Sequence, residues 1–286
     1  MHTFRTGDAA RTGALLLAIA AALGSTRAAQ ALPVAYLEAY ASASDGEASG
    51  TEVGYDQYVS NSRSGSYSGF GSFRGADASS NASFGVLRAA SSASASLNVA
   101  TSGASARFHD FLTITAPGVA TGTPGTFAFS ILADGSMDAS HGRADWMLAI
   151  QVGSFAAKLL AEGEVFHDAG GAGVSGDPFG GIYASGNYGF RFGEAFSVDV
   201  LLGVGSSAGS SVGSGSAFVD FLHTASWQGI AEVKLLGSST SLPDYGVTSA
   251  SGADYSRAIP EPGTLWLVAL GVSALAARSR NAAQAA

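Results

Sequence analysis

Residues 144 to 152 read Ala144-Asp145-Trp146-Met147-Leu148-Ala149-Ile150-Gln151-Val152, and the order of these nine side chains decides the fold. Trp146, Leu148, Ile150 and Val152 fall on one side of a two-residue repeat, with Asp145, Met147, Ala149 and Gln151 on the other. Successive side chains of a strand point to opposite faces, so the repeat predicts a strand with one buried face. The same period recurs in Phe127-x-Phe129-x-Ile131, in Phe196-x-Val198-x-Val200-x-Leu202 and in Trp227-x-Gly229-x-Ala231-x-Val233-x-Leu235. Clusters of Gly, Ser, Asp and Pro at 116–125, 133–142, 168–181, 203–216 and 237–244 read as turns or loops between such runs. Many short strands with this punctuation predict an all-β chain, an antiparallel β-sandwich of jelly-roll-like build, over a barrel of alternating strands and helices. Residues 36–82 are the least regular part, and the spacing of Tyr67, Phe70 and Phe73 leaves open a decorated first layer or a flexible stretch.

The two ends obey a different logic. Arg5 and Arg11 precede the apolar stretch Ala14 to Leu23, and Ala29-Gln30-Ala31 supplies a small-residue cleavage site. These are the three regions of a secretory signal peptide handled by the Sec export machinery; cleavage after Ala31 leaves Leu32 as the first mature residue. At the other end Pro260-Glu261-Pro262 is followed by an apolar run from Gly263 to Ala277 and by Arg278 and Arg280. Proline fixes φ and removes a donor, so the triplet holds the approach to the run extended and out of any helix. As a helix the run of 15 residues spans roughly 22 Å, short of a hydrocarbon core of about 30 Å, which suits a temporary membrane anchor. The arginines favour a cytoplasmic C-terminus. The chain thus divides into a signal peptide (1–31), an exported body (32–259) and a sorting tail (260–286) with a short hydrophobic helix at 263–277.

This tail resembles the PEP-CTERM sorting signal of exported proteins from Gram-negative, exopolysaccharide-making bacteria. The resemblance implies a partner, an integral-membrane exosortase that recognises Pro260, Glu261 and Pro262, cleaves near them and releases or transfers the body. Arg278 and Arg280 would be the basic end. The chain continues through Asn281 to Ala286, where the family usually stops in a denser arginine cluster. A looser similarity to bodies of that family lies in Phe-x-Asp-x-Leu after an Ala-rich strand and in the stretch Tyr245 to Gly252.

Between its two sorting segments the body carries nine Lys and Arg against twenty Asp and Glu, a formal charge of −11. Such a body repels phosphate backbones, which excludes nucleic acid as a partner. The chain has no cysteine, so disulfides and thiolate metal sites are excluded and packing alone must hold the fold. One internal echo stands out: Phe108-His109-Asp110-Phe111-Leu112 and Phe218-Val219-Asp220-Phe221-Leu222 share Phe-x-Asp-Phe-Leu. In a strand each aspartate shares a face with its first Phe and its Leu, where burial demands a hydrogen-bond partner. The echo is either a chance convergence of two amphipathic strands or a pair of neighbours in one sheet whose aspartates orient adjacent loops.

Catalytic motifs fail on context. Gly205-Ser206-Ser207-Ala208-Gly209 and Gly209-Ser210-Ser211-Val212-Gly213 fit Gly-x-Ser-x-Gly but sit in a Gly/Ser repeat with no helix pattern behind them. Gly171 to Gly176 fits a dinucleotide fingerprint, yet Asp177-Pro178 follows where the phosphate-binding helix should start. His109-Asp110 and His167-Asp168 are strand neighbours that face opposite ways, and His141 and His223 have no i, i+4 partner. No catalytic residue and no cofactor is therefore expected. The nearest approach to a metal site is Ca²⁺ at Asp134 and Asp138, or at Asp45, Glu47, Glu52 and Asp56, which lack the terminal bidentate Glu of an EF-hand loop. The leading expectation is a non-enzymatic surface or matrix protein, exported, anchored transiently in the inner membrane, processed at its tail and delivered to the envelope, surface or extracellular matrix. The alternative is a carbohydrate-binding module associated with exopolysaccharide, with Trp146, Trp227, Tyr183 or Tyr188 as a stacking platform.

Overall fold

The computed structural model describes residues 34–43, 48–54, 58–69, 72–96, 99–168, 171–209 and 214–259. The signal segment with Ala29, Ala31 and Leu32 lies outside the described residues, as do Pro260, Glu261, Pro262, the run 263–277, Arg278 and Arg280. Every named element is a strand: β1 (Tyr36–Ala43), β2 (Ala48–Gly54), β3 (Val59–Gly69), β4 (Ser72–Ser83), β5 (Val86–Ser96), β6 (Val99–Thr115), β7 (Pro124–Ser140), β8 (Gly142–Val152), β9 (Lys158–Asp168), β10 (Gly171–Gly176), β11 (Gly180–Ala184), β12 (Tyr188–Arg191), β13 (Ala195–Gly209), β14 (Ser214–Leu235) and β15 (Gly246–Ser249). Among the described residues no helix is long and apolar enough to cross a membrane.

The strands form two stacked sheets, and every pairing is antiparallel. The first runs β10-β9-β8-β13-β6-β1-β2 with β15 on β6; the second runs β11-β7-β14-β5-β4-β3 with β12 on β7. The chain changes sheet at each step from β5 to β8 and again from β12 to β15. By contrast β3-β4-β5 and β8-β9-β10 are hairpin meanders within one sheet.

Two poles differ in how they fill the space between the sheets. At one, Phe127, Phe129, Trp146, Trp227, Phe221 and Tyr255 are fully buried, and Phe129 stacks on Trp227 at 4.1 Å between ring centroids. At the other the inward positions are Ala39, Ala41 and Ala43 of β1, Ala76, Ala78 and Ser80 of β4, Ala93 and Ala95 of β5, and Ala100 and Ser102 of β6. Such short side chains let the backbones approach: Cα atoms of β4 come within 8 Å of those of β1 and β6, closer than the usual sheet spacing of about 10 Å. Hydroxyls then bridge the sheets directly. Ser80 Oγ donates to the Tyr40 carbonyl at 2.8 Å and Ser102 Oγ to the Ser92 carbonyl at 2.8 Å.

This packing corrects one expectation and decides two readings that the sequence leaves open. The stretch 36–82 is regular wherever it is described, supplying β1 to β4 in both layers; Ala and Ser carry too weak an apolar contrast to show the period in sequence. Residues 133–140 belong to β7, and most of 203–216 to β13 and β14, while 168–181 contains β10 and the start of β11. Gly135 shows the reason, since a Cβ there would lie 2.6 Å from the Phe221 ring. That glycine leaves room for an aromatic and does not turn the chain. Of the two readings of the Phe-x-Asp-Phe-Leu echo, the pair of neighbours fails, since its copies lie in β6 of the first sheet and β14 of the second.

Candidate functional site

The last described residues form a strap that carries the chain to the threshold of the Pro-Glu-Pro triplet. β15 pairs with the end of β6, from Gly246 opposite Thr115 to Ser249 opposite Leu112. The Ala250 amide then donates to the Phe111 carbonyl at 2.9 Å. Asp110, wholly buried, takes over from there: Oδ1 accepts the amides of Phe111 at 2.7 Å and Ser251 at 3.1 Å, and Oδ2 accepts the Ser251 hydroxyl. A buried carboxylate without such donors would be very costly, so these contacts fix the strap where it leaves the sheet. Ser249 Oγ donates to the Ala253 carbonyl at 2.8 Å, and the Ala253 amide to Ser251 Oγ at 3.2 Å, folding the segment back on itself.

Beyond this latch Tyr255 plugs into the aromatic pole. Its ring meets Trp227 edge-on at 5.1 Å, and Trp227 Nε1 donates to its carbonyl at 2.9 Å. Burial, and next the neighbouring Asp110 carboxylate, push the Tyr255 phenol well above its ordinary value. Arg257 pairs with Asp254 at 2.7 Å on the surface. Ala258 then bridges to Gln228, and the Ile259 amide donates to the Trp227 carbonyl at 3.0 Å. The Ile259 side chain lies over Gly85, where φ is +81° and an added Cβ would meet Ile259 Cδ1 at 2.2 Å. Glycine at this turn serves both the left-handed backbone and the docking of the strap.

The other sequence candidates are scattered. Gly205 to Gly209 lies within β13, where Ser206 is buried against Ser102 at 2.8 Å; Ser210 to Gly213 of the second Gly-x-Ser-x-Gly lie outside the described residues. Gly171 to Gly176 is strand β10. Asp134 and Asp138 stand on β7 opposite Gly180 and Phe218, and among the described residues no three His, Asp or Glu side chains group as metal ligands. His141 and His167 stack at 5.1 Å. Trp146, Trp227 and Tyr188 are core residues, and Tyr183 is half-buried with its hydroxyl donating to Asp177 Oδ2 at 2.8 Å, so these four form no exposed platform. Two groups were illegible in sequence. Arg107 and His109 on β6 converge on Asp199 of β13, with Arg107 Nε at 2.8 Å and His109 Nδ1 at 2.9 Å. Burial alone would lower the Arg107 pKa, but hydrogen bonding to Asp199 and its charge outweigh that and raise it. Asp145 of β8 faces Glu164 of β9 with Arg143 beside both; burial first, and the Glu164 charge second, push its carboxyl up to about 6 against the pull of Arg143.

A family profile, the PEP-CTERM protein-sorting motif, matches residues 258–281. No curated protein and no solved structure matches the chain. The molecule is therefore an all-antiparallel β-sandwich protein with a PEP-CTERM sorting motif near its C-terminus, as exosortase substrates have. The match begins at Ala258, so its first two residues, Ala258 and Ile259, are also the last two described residues, both paired with β14.

Proposed function

We propose that the protein is an exported, non-enzymatic component of the cell surface or extracellular matrix whose Pro-Glu-Pro region is acted on by an exosortase-type membrane enzyme. Residues 1–31 serve as the leader, and residues 263–277 hold the precursor in the inner membrane until processing near Pro260, Glu261 and Pro262 releases the body. The observation that carries this reading is the sorting motif directly abutting a folded, acidic, cysteine-free sandwich. Intact masses from the native host test it. A species starting at Leu32 and ending near Pro260, outside the inner membrane, is expected; a membrane-bound species that retains Gly263 to Ala286 would overturn it.

A second reading, glycan binding, gains support from the outer face of the second sheet. Aligned rows there run Ser64-Asp77-Ser92-Phe218-Asp138 and Ser62-Ser79-Ala90-Asp220-Ser136 across β3, β4, β5, β14 and β7. Short side chains at the middle of these rows leave an open depression of about 470 Å³, bordered by Asp77, Asp220 and an exposed Phe218. Hydroxyls that both donate and accept, carboxylates that accept and one apolar ring suit a neutral polyhydroxylated chain. Electrophoresis in gels containing neutral polysaccharide should retard the native protein and not its Phe218→Ala variant. Equal mobility of the two would end this reading.

A further inference from the structure

The sorting motif has no slack. Ile259 is hydrogen-bonded to Trp227, and the apolar run begins at Gly263, four residues on. Four residues reach at most about 14 Å even when fully extended. If Gly263 enters the hydrocarbon, several ångströms of that tether lie within the headgroup layer, which is itself about 5–7 Å deep on each side. The sandwich end formed by the β4–β5 turn at Gly85, the irregular stretch of β14 at Gln228 and the strap is then pressed to the bilayer. An enzyme that grips an extended substrate needs chain on both sides of the bond it cuts. Here the residues on the N-terminal side, Ala258 and Ile259, are occupied by β14, and Tyr255 is buried in the core.

We propose that the strap, residues 250–259, is a latch that must leave the body before the membrane-embedded processing enzyme can act. Release as far as Ala250 lengthens the tether to thirteen residue steps, about 43 Å, enough for the sandwich to stand clear of the bilayer while Pro260 to Pro262 enters the partner's cleft. The strap is suited to peeling. Its hold is a linear series of contacts that can be lost one at a time, from the Ile259 amide and side chain through the Ala258 bridge, the Tyr255 ring and carbonyl on Trp227 and the Asp110–Ser251 pair to the Ala250 amide on Phe111, while the core strands beneath pair with one another without it. An acidic body held against an anionic leaflet is repelled, which favours the open form. The folded sandwich and the processing enzyme thus compete for the same ten residues, and stability of the strap sets the rate at which the precursor matures.

This inference rests on the processing reading above, and one experiment separates the two. Full-length precursor is followed by pulse-chase in the native host, with intact mass as the readout. Ser251→Ala removes the hydroxyl's bonds to Asp110 and to the Ala253 amide, Ile259→Ala removes the side chain packed over Gly85, and both leave the sheets intact. Each should speed conversion several-fold, up to about tenfold, the change in opening equilibrium that loss of one such contact produces. Insertion of twelve Gly/Ser residues between Ile259 and Pro260 touches no body residue and should raise the rate to the same level, after which Ser251→Ala adds nothing. Far-UV circular dichroism of the processed bodies should be superimposable. If all variants mature at the native rate while replacement of Pro260 and Glu261 by alanine blocks maturation, the latch is wrong and the processing reading stands. If the alanine replacements have no effect, both fall.

Discussion

Phe108 to Leu112 and Phe218 to Leu222 carry the same pattern, Phe-x-Asp-Phe-Leu, and the fold turns them opposite ways. In β6 the first Phe, the Asp and the Leu face the core, and Phe108, Asp110 and Leu112 are all buried. In β14 the corresponding Phe218 and Leu222 are exposed, 43% and 42%, and the intervening Val219 and Phe221 fill the core instead. Apolar residues sit on both parities of the pattern, so either register buries something. The neighbours outside the pattern break the tie. Around β6 the buried set continues through Ala104, Ala106 and Ile114; around β14 it continues through Ala217 and, past an irregularity in register, Ala225 and Trp227. The aspartates diverge with their strands: Asp110 anchors the strap, while Asp220 borders the serine-rich face and accepts the Leu222 amide at 2.9 Å.

The sharpest way to break this contrast is to truncate both aromatics. Phe108→Ala should cost about 3–5 kcal/mol, read as a lower denaturation midpoint with unchanged m, because it opens a cavity between the sheets. Asp110→Ala should cost about 3 kcal/mol by stranding the donors of Phe111 and Ser251, and it should raise amide exchange at Ile259 relative to β13. Asp145 adds a third, intermediate aspartate whose cost depends on pH. Its folded value of about 6 lies above the ordinary 3.8, so the folded chain binds a proton that the unfolded chain has released between those values. Stability from this group is full below about pH 4 and is lost as pH rises towards 6, leaving a penalty of roughly 2–3 kcal/mol at neutral pH. Asp145→Asn should therefore gain most of that at pH 7–8 and nothing near pH 3.5, measured by urea unfolding at both pH values. The smallest effect belongs to Phe218→Ala and Asp220→Ala, which should change stability by no more than about 0.5 kcal/mol. A large loss at either position would mean that the outer face is packed.

Legibility followed contrast. Where large apolar residues alternate with small or polar ones, as at Trp146 to Val152, Phe127 to Ile131 and Phe196 to Leu202, the strands lie where the pattern places them. Where Ala alternates with Ser, as in β1, β4 and β5, the period was present and too faint to read, because burying a methyl is a weak signal. The strap was visible only as Tyr245 to Gly252. Its hold on Asp110, 141 residues earlier, has no trace in sequence.

The amino-acid order by itself determined the all-β class, the absence of any disulfide and the sorting motif, since each is written in residue type or local spacing that a strand ladder, a cysteine count or a processing enzyme reads linearly. Tertiary structure alone decided which face is buried in the two copies of Phe-x-Asp-Phe-Leu and in the Ala/Ser strands, why Gly85 and Gly135 must be glycine, and that Ala258 and Ile259 belong at once to the body and to the motif. Those outcomes depend on what lies across the interior, and in a sandwich the facing residues come from strands tens to more than a hundred positions away. A pattern of period two states that a strand has two sides; only the opposite sheet determines which of them is inside.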